Sequence, residues 1–433
     1  MNIFLIFLIL LKCLFLVVSS TPTDPRYVHA AVIVNNNLYV MGGGDSNDQA
    51  SKDFFSLDLS QTFDTTTPPW KDLTETSPLP VFASWAKASS NTNNDTIFLF
   101  GGRMYDTVTG EYNLKSVVYT DDFKSNQWLV NLPAFQGTAP ETRRGFASVS
   151  DPLTGKLYIH GGVNDMNVTT GIFFNDFFIL DGNNLSWSKI GKTGLNIPPP
   201  RIDHAAVLIA NGVIVFIGGR DESTNGVTTI VGGPVVDPRI GHTAVYTASG
   251  QVIVYGGTTP AQYTTPIPEL VVLDTTTKPF KWILPPVTTP EVPINSLTRH
   301  QANLIGNYMV VTFGNITNNA GPPVKTSNSI QILNIVDYKW VKSFPGLSPS
   351  KLPSSFNDTS SSAHSTRMVS SPPPPPSSSQ GQGQINNNEN FMRSISTTTP
   401  SLISSSNSQS PSNRNSVNSL LNSNDNLNNR NNI

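Results

Sequence analysis

The chain has 433 residues, a formal net charge of -2 and only 13% charged side chains. That balance gives no electrostatic basis for nucleic acid or an anionic membrane surface as partner. With 34 Pro and 31 Gly between short apolar runs, the composition points to an all-β domain rich in turns.

Residues 3–18 form an apolar run broken only by Lys12, and small residues at Val18 and Ser20 precede Thr21. This pattern predicts a signal peptide over residues 1–20. An uncleaved anchor is the competing reading, because the charged segment that normally opens a signal is nearly missing. The run is short for a bilayer span, which needs about 20 apolar residues. No later stretch approaches that length, so no membrane span is expected after the signal. The expected location is therefore secreted, or the extracellular face of the cell membrane if the anchor is retained. Cys13, the only cysteine, lies inside this segment, so a mature chain would carry no thiol. Acceptor patterns for N-glycosylation occur at Asn94, Asn167, Asn184, Asn315 and Asn357, which fits a secretory route.

Internal repetition dominates the next three hundred or so residues. Apolar runs ending in Gly-Gly recur as LYVMGG, IFLFGG, LYIHGG, VIVFIGG and VIVYGG, and MVVTFGN keeps a single glycine. The glycines stand at 42, 101, 161, 218, 256 and 314, in steps of 59, 60, 57, 38 and 58 residues. A tryptophan follows most of them, at Trp70, Trp128, Trp187, Trp282 and Trp340. His29, His204, His242 and His300 precede them by 13 or 14 residues. Each full copy divides into four short runs rich in Val, Ile, Tyr and Phe, bounded by Gly, Pro, Asn and Thr. In the fifth copy these are HTAVYT, QVIVYGG, ELVVLD and a strand around Trp282. One such sheet cannot bury both faces, whereas radial stacking buries them against each other, which predicts a β-propeller.

The series resembles kelch repeats: an Arg-x-x-His opening, an apolar run to Gly-Gly, an aromatic-x-x-Asp and then Trp. Arg201 to His204 followed by Gly218-Gly219 carries the first part, and Phe178 to Asp181 followed by Trp187 carries the second. The resemblance covers roughly residues 26–345 and implies a kelch-type propeller of about six blades. It implies a fold rather than an activity, since the family uses these residues to build blades.

Several copies depart from the pattern. The second has Val81 to Trp85 in place of the opening arginine, and the third has Arg144-Gly145-Phe146 without histidine. The sixth has lost one glycine, and its Arg299 directly precedes His300. In the fourth, only 19 residues separate Gly219 from Arg239. That leaves room for an inner hairpin with an exposed edge strand, unless the chain lacks a coding segment there. No leftover strand is evident to join the two ends, so closure is expected through side-chain packing. The domain boundaries expected are 1–20 for the signal, 21–346 for the propeller and 347–433 for a disordered Ser/Asn/Pro-rich tail. The run Pro372 to Pro376 favours polyproline II, as a spacer in preference to a ligand for a proline-reading module.

No catalytic motif is found: there is no Ser-His-Asp signature, phosphate loop, His-Glu-x-x-His or Cys-x-x-Cys. Galactose oxidase also has kelch-like repeats, but that resemblance implies a tyrosine cross-linked to cysteine, and no cysteine remains once Cys13 is removed. Neither a cofactor nor a bound metal is expected, and the chain is read as non-enzymatic. The in-register histidines could form a ring of metal ligands, but their periodicity favours a structural role. The same holds for Arg26, Arg144, Arg201 and Arg239. Recognition is instead expected from the non-periodic loops after each Gly-Gly. There Asp45, Asp48, Arg103, Tyr105, Asp106, Arg220, Asp221 and Tyr263 are the candidate binding residues. A protein is the expected partner, and a glycan is the alternative.

Overall fold

The computed structural model describes residues 24–106, 111–112, 118–122, 127–129, 135–166, 171–191, 198–221, 233–323, 325–347 and 392–394. The predicted signal and nearly all of the tail, with Asn167 and Asn357, lie outside them. The chain divides into two units, Met1–Thr397 and Thr398–Ile433, and every described residue belongs to the first. Its described secondary structure is all strand, with no helix.

The predicted repeats become successive antiparallel sheets. Repeat 1 runs Ala30–Val34, Asn37–Met41, Phe54–Asp58 and Lys71–Asp72 in that spatial order. Repeats 2, 3 and 5 follow the same four-strand order. In repeat 5 the strands are Thr243–Tyr246, Gln251–Tyr255, Leu270–Asp274 and Lys281–Ile283, matching the four runs read from the sequence. Repeat 6 has longer inner strands, Tyr308–Ile316 against Lys325–Asn334. Among the described residues of repeat 4 the strands are the hairpin Ala205–Leu208 and Ile214–Ile217.

Alternation along each strand sends side chains to both faces, so both must be covered. The buried core is accordingly divided among the junctions between neighbouring sheets. One cluster joins Val32 and Val34 of repeat 1 to Ile97 and Leu99 of repeat 2. Another joins Leu38 and Val40 of repeat 1 to Val310 and Ile332 of repeat 6. Each tryptophan of the pattern is buried against the preceding repeat: Trp70, Trp128, Trp187, Trp282 and Trp340 are 4–9% exposed. Among the described residues the junction of repeats 3 and 4 has no tryptophan, and its buried cluster is Tyr158, Phe177, Ile214 and Phe216.

The backbone joins the sheets as well. The N–H of the second glycine in each Gly-Gly donates to a carbonyl of the next repeat: Gly43 to Ala83, Gly102 to Arg143, Gly162 to Arg201, Gly219 to Arg239 and Gly257 to Leu297. Gly314 donates to Arg26 at 2.8 Å, so repeat 6 is bonded back to repeat 1. The glycine retained in repeat 6 is thus the second of the pair, and Phe313 holds the first position at φ 52°.

Closure differs from the expectation of side-chain packing alone. Ser343–Phe344, just past the last strand of repeat 6, pairs antiparallel with Phe63–Asp64 of repeat 1. Leu347 N–H adds a bond to Leu59 O at 3.0 Å. The two-residue ladder is too short to read from a sequence pattern. Packing contributes as well. The Phe313 ring is fully buried, lies parallel to Trp70 at 5.8 Å and meets His29 edge-on at 5.2 Å. Phe313→Gly would restore the residue found in the other repeats, yet it empties this closing joint. It is expected to lower stability by the 3–5 kcal/mol, roughly, of a vacated phenylalanine site, read as a lower denaturant midpoint. An unchanged midpoint would show that the ring is not part of the closure.

Candidate functional site

The joints between repeats fix a four-residue slot pattern at the start of each repeat. Its first position is Arg26, Ala83, Arg143, Arg201, Arg239 and Leu297 in repeats 1 to 6, the residues whose carbonyls accept the glycine bonds. Four of these are arginines 2% exposed, and each donates to the first-glycine carbonyl of its own repeat. The partners are Gly42, Gly161, Gly218 and Gly256, at 2.9–3.3 Å. This corrects the reading of repeat 3: Arg143, not Arg144, is the structural arginine. Adjacent arginines hid a one-residue shift, because Phe146 stands where histidine was sought.

The fourth position is His29, Ala86, Phe146, His204, His242 and His300. All four histidines are buried. His29 Nε2 lies 2.9 Å from Thr312 Oγ1, and His300 Nε2 lies 2.7 Å from Thr243 Oγ1. His160, which carried no sequence assignment, places Nδ1 3.1 Å from His204 Nε2. A Cβ on Gly161, Gly218 or Gly256 would come within 2.6–2.9 Å of the next repeat's histidine ring. These histidines therefore pack on the neighbouring blade's glycine. Among the described residues no group of three or more His, Cys, Asp or Glu could hold a metal.

The third position is where the repeats part company. Val28, Trp85, Gly145, Asp203, Gly241 and Arg299 all have φ between 48° and 65°. A left-handed conformation is costly for Val and Trp. Here a chain of backbone bonds holds it: Trp85 N–H to Val28 O, Val28 to Arg299, Arg299 to Gly241, Gly241 to Asp203 and Asp203 to Gly145, at 2.7–3.0 Å. The six residues line a central cavity of about 60 Å³, together with Lys87, Thr243 and Gln301. At about 30 Å³ per water that is room for two waters, and enclosed small-molecule pockets are several times larger. Burial lowers the Lys87 ammonium's pKa, and Asp203 works in the opposite sense. What the cavity offers a partner is therefore its rim.

Trp85 stands on that rim, half-buried, between two guanidinium groups. Arg299 Cζ lies 5.0 Å from its ring and Arg144 Cζ 5.3 Å. Arg144 Nε donates to Asp165 Oδ2 at 2.8 Å, and Arg103 donates to the same oxygen at 3.3 Å. Burial pushes the Asp165 carboxyl up, but the two arginines outweigh it and the net shift is downward. On the other side Arg299 lies 5.9 Å from the Tyr27 ring, and the Tyr27 phenol donates to Asp48 at 2.5 Å. Burial and the Asp48 carboxylate raise the Tyr27 pKa. The result is one polar network from Arg103 through Asp165, Arg144, Trp85, Arg299 and Tyr27 to Asp48.

The loops after Gly-Gly share this face, because they bridge to the second slot position: Tyr27 with Gly44, Arg144 with Val163, Ile202 with Arg220 and Ile240 with Thr258. Of the residues expected to recognise a partner, Arg103 and Asp48 join the network. Asp45 instead holds its own loop, accepting from the N–H of Asn47 and Gln49 at 2.8 and 2.9 Å. Tyr105 packs between Phe82 and Tyr112 in a small side sheet, and the backbone of Asp106 pairs with Glu111 there. Arg220 pairs through its backbone with Ile202, Asp221 lies in the field of Arg201, and Tyr263 turns its loop at φ 59°. Trp85, Arg144, Asp165 and Arg299 were missed as site residues. Trp85 and Arg299 were visible as breaks in the motif but not as neighbours.

A family model described as "KLHDC2/KLHL20/DRC7 Kelch-repeats domain" matches residues 11–219. Kelch domain-containing protein 3 of Rattus norvegicus is 30% identical over 204 residues, 45% of this chain and 49% of that protein. Kelch-like protein terF of Aspergillus terreus is 27% identical over 219 residues, 48% of this chain and 42% of that one. The chain thus spans about half the length of the curated relatives it matches. A solved structure described as "Structure of YjhT" aligns at a TM-score of 0.44 and 16% identity, over 60% of this chain and 84% of that one. The molecule is an all-β propeller. The repeats within residues 11–219 match a kelch-repeat model, and kelch-repeat domains act mostly as non-enzymatic protein-interaction modules.

The buried histidines give the fold a pH dependence. Burial lowers His242 and His300 from 6.5 to about 3. In the unfolded chain they take up protons near 6.5, and in the folded chain only near 3. Unfolding therefore binds protons, and stability present at neutral pH is lost as pH falls through that window. The melting temperature is expected to fall from about pH 6.5 towards pH 4. His242→Phe reproduces the Phe146 arrangement against Gly101 and is expected to make that slope shallower. Identical pH profiles for the two proteins would rule out this origin.

Proposed function

We propose that this propeller is a protein-binding module of the secretory route or cell exterior, and that it docks its partner on the rim of the central cavity. The observation that carries this reading is Trp85, placed at positive φ by the chain of backbone bonds and flanked by Arg299 and Arg144. A tryptophan between arginines combines the residue types that dominate interface energetics. The strain at Trp85 and Val28 is held by the fold, so the rim is presented without an ordering cost on binding. The network leaves Arg299 without a carboxylate partner among the described ion pairs, whereas Arg103 and Arg144 share Asp165. Arg299 is thus the cation best able to meet an acidic group on a partner.

The test is a crosslinking pull-down from cells and medium with the purified chain as bait. Trp85→Ala is expected to weaken capture of a specific partner about 30-fold, with Arg299→Ala also weakening it. Both variants should keep the parent melting temperature. Capture unaffected by either would move the docking site off the rim, and capture abolished by a free sugar would favour the glycan alternative.

Secretion has its own readout. Asn94 and Asn184 are exposed, whereas Asn315 lies in a strand with Oδ1 accepting from Thr326 at 3.1 Å. We expect glycosidase treatment of the expressed chain to reveal sugars at Asn94 and Asn184 and none at Asn315. Unmodified Asn94 and Asn184 in protein recovered from the medium or the cell surface would count against these acceptor sites. Recovery from neither would count against the route.

A further inference from the structure

In repeats 1, 2, 3, 5 and 6 the second strand is flanked by the first strand on one side and an antiparallel third strand on the other. Asn37–Met41, for example, pairs along all five residues with Phe54–Asp58. Repeat 4 breaks this rule. Its second strand, Ile214–Ile217, pairs with Ala205–Leu208 on one side. On the other it meets Met392–Ser394, drawn from beyond the propeller and running parallel. The register is Ile214 with Met392, Val215 with Arg393 and Phe216 with Ser394.

The faces of Ile214–Ile217 are already covered. Val215 and Ile217 pack with Val252 and Val254 of repeat 5, and Ile214 and Phe216 with Tyr158 and Phe177 of repeat 3. All four residues are 0–4% exposed. What the short repeat leaves open is therefore a backbone edge between two neighbouring blades. An apolar strand edge of this kind is a template for one extended segment, held mainly by main-chain bonds. The chain supplies such a segment at high effective concentration, because residues 348–391 link it to the end of repeat 6. That linker could span on the order of 100 Å when extended, far more than a propeller's width.

We propose that the edge of Ile214–Ile217 is a strand-acceptor site and that its resident occupant is this chain's own Met392–Ser394 segment. It stands where the other repeats place their third strand. The expected exposed edge strand is thereby covered from outside the repeat. The proposal is independent of docking at the rim.

Hydrogen exchange on the full-length chain tests it. Successive residues of a strand alternate the side to which their N–H points, so two variants are needed: Arg393→Pro, and Met392→Pro combined with Ser394→Pro. In at least one of them the amides of Ile214 and Phe216, which face away from Ala205–Leu208, should exchange about tenfold faster, while those of Val215 and Gln251–Tyr255 stay protected. A synthetic peptide of residues 387–399 should restore the protection. Unchanged exchange in both variants would overturn the proposal. So would a loss spread equally over Gln251–Tyr255, or no recovery with the peptide. Protection of the parent chain that rises with protein concentration would place the strand in a second copy, which overturns the assignment to the chain's own segment.

Discussion

The fold depends on one hydrogen bond made six times: the N–H of the second glycine of each repeat donates to the carbonyl that opens the next. To make it, the chain must leave the second strand at positive φ, and a carbonyl must approach where a side chain would otherwise stand. A Cβ on Gly42 would sit 2.3 Å from Ala83 O, and one on Gly256 2.2 Å from Leu297 O. At these two positions glycine is called for by the neighbour as much as by its own backbone, whereas repeat 6 makes the joint with Phe313 in the first glycine's place. The buried arginine and histidine follow from the same contact. One guanidinium hydrogen-bonds the carbonyl of the first glycine, and the imidazole fills the space left by its missing side chain.

Because the joint fixes backbone position, it frees one residue in each slot. The first, second and fourth positions are tied up in bonds or packing, while the third lines the cavity in all six repeats. Its occupants here are Val, Trp, Gly, Asp, Gly and Arg. No packing rule would select that set, and its variety at a geometrically uniform position suits recognition. The periodic residues build the frame, and the rim carries what is particular to this chain.

The frame was legible in the sequence because it repeats. Gly-Gly, Trp and the four strands of repeat 5 fall where spacing places them. The rim was legible only in part. Arg103 and Asp48 follow a glycine pair and were found by position, but Arg103 meets Asp165 only when repeats 2 and 3 are docked, and Arg144 meets it through the Arg144–Val163 bridge within repeat 3. Arg144 was assigned to the frame because it adjoins Arg143, and sequence alone does not say which of two neighbours faces the glycine carbonyl. The partial closure by Ser343–Phe344 and the strand at Met392–Ser394 escaped for a different reason. Two or three residues carry no periodicity, and their partners lie some 180 to 280 positions away.

The two irregular junctions differ in consequence. Between repeats 6 and 1 the missing glycine is replaced by Phe313, and the space is filled by Trp70, His29 and the aliphatic core around Val310 and Ile332. Between repeats 3 and 4 the short repeat brings no tryptophan, and among the described residues four buried side chains form the cluster, with Val149, Ile179, Ile190, Ala206 and Leu208 partly buried against it. Each junction of a ring is in series with the others, so a local opening starts where the least apolar surface must be exposed. That place is the junction of repeats 3 and 4, on the side where Ile214–Ile217 takes a strand from outside its own repeat. The joint of Gly162 to Arg201 and the pairing of His160 with His204 span the same junction from the cavity side. They bind it on the cavity side, while the far edge of Ile214–Ile217 is covered by the three-residue ladder with Met392–Ser394. The ring can therefore stay closed at its centre while the outer edge of repeat 4 exchanges its occupant.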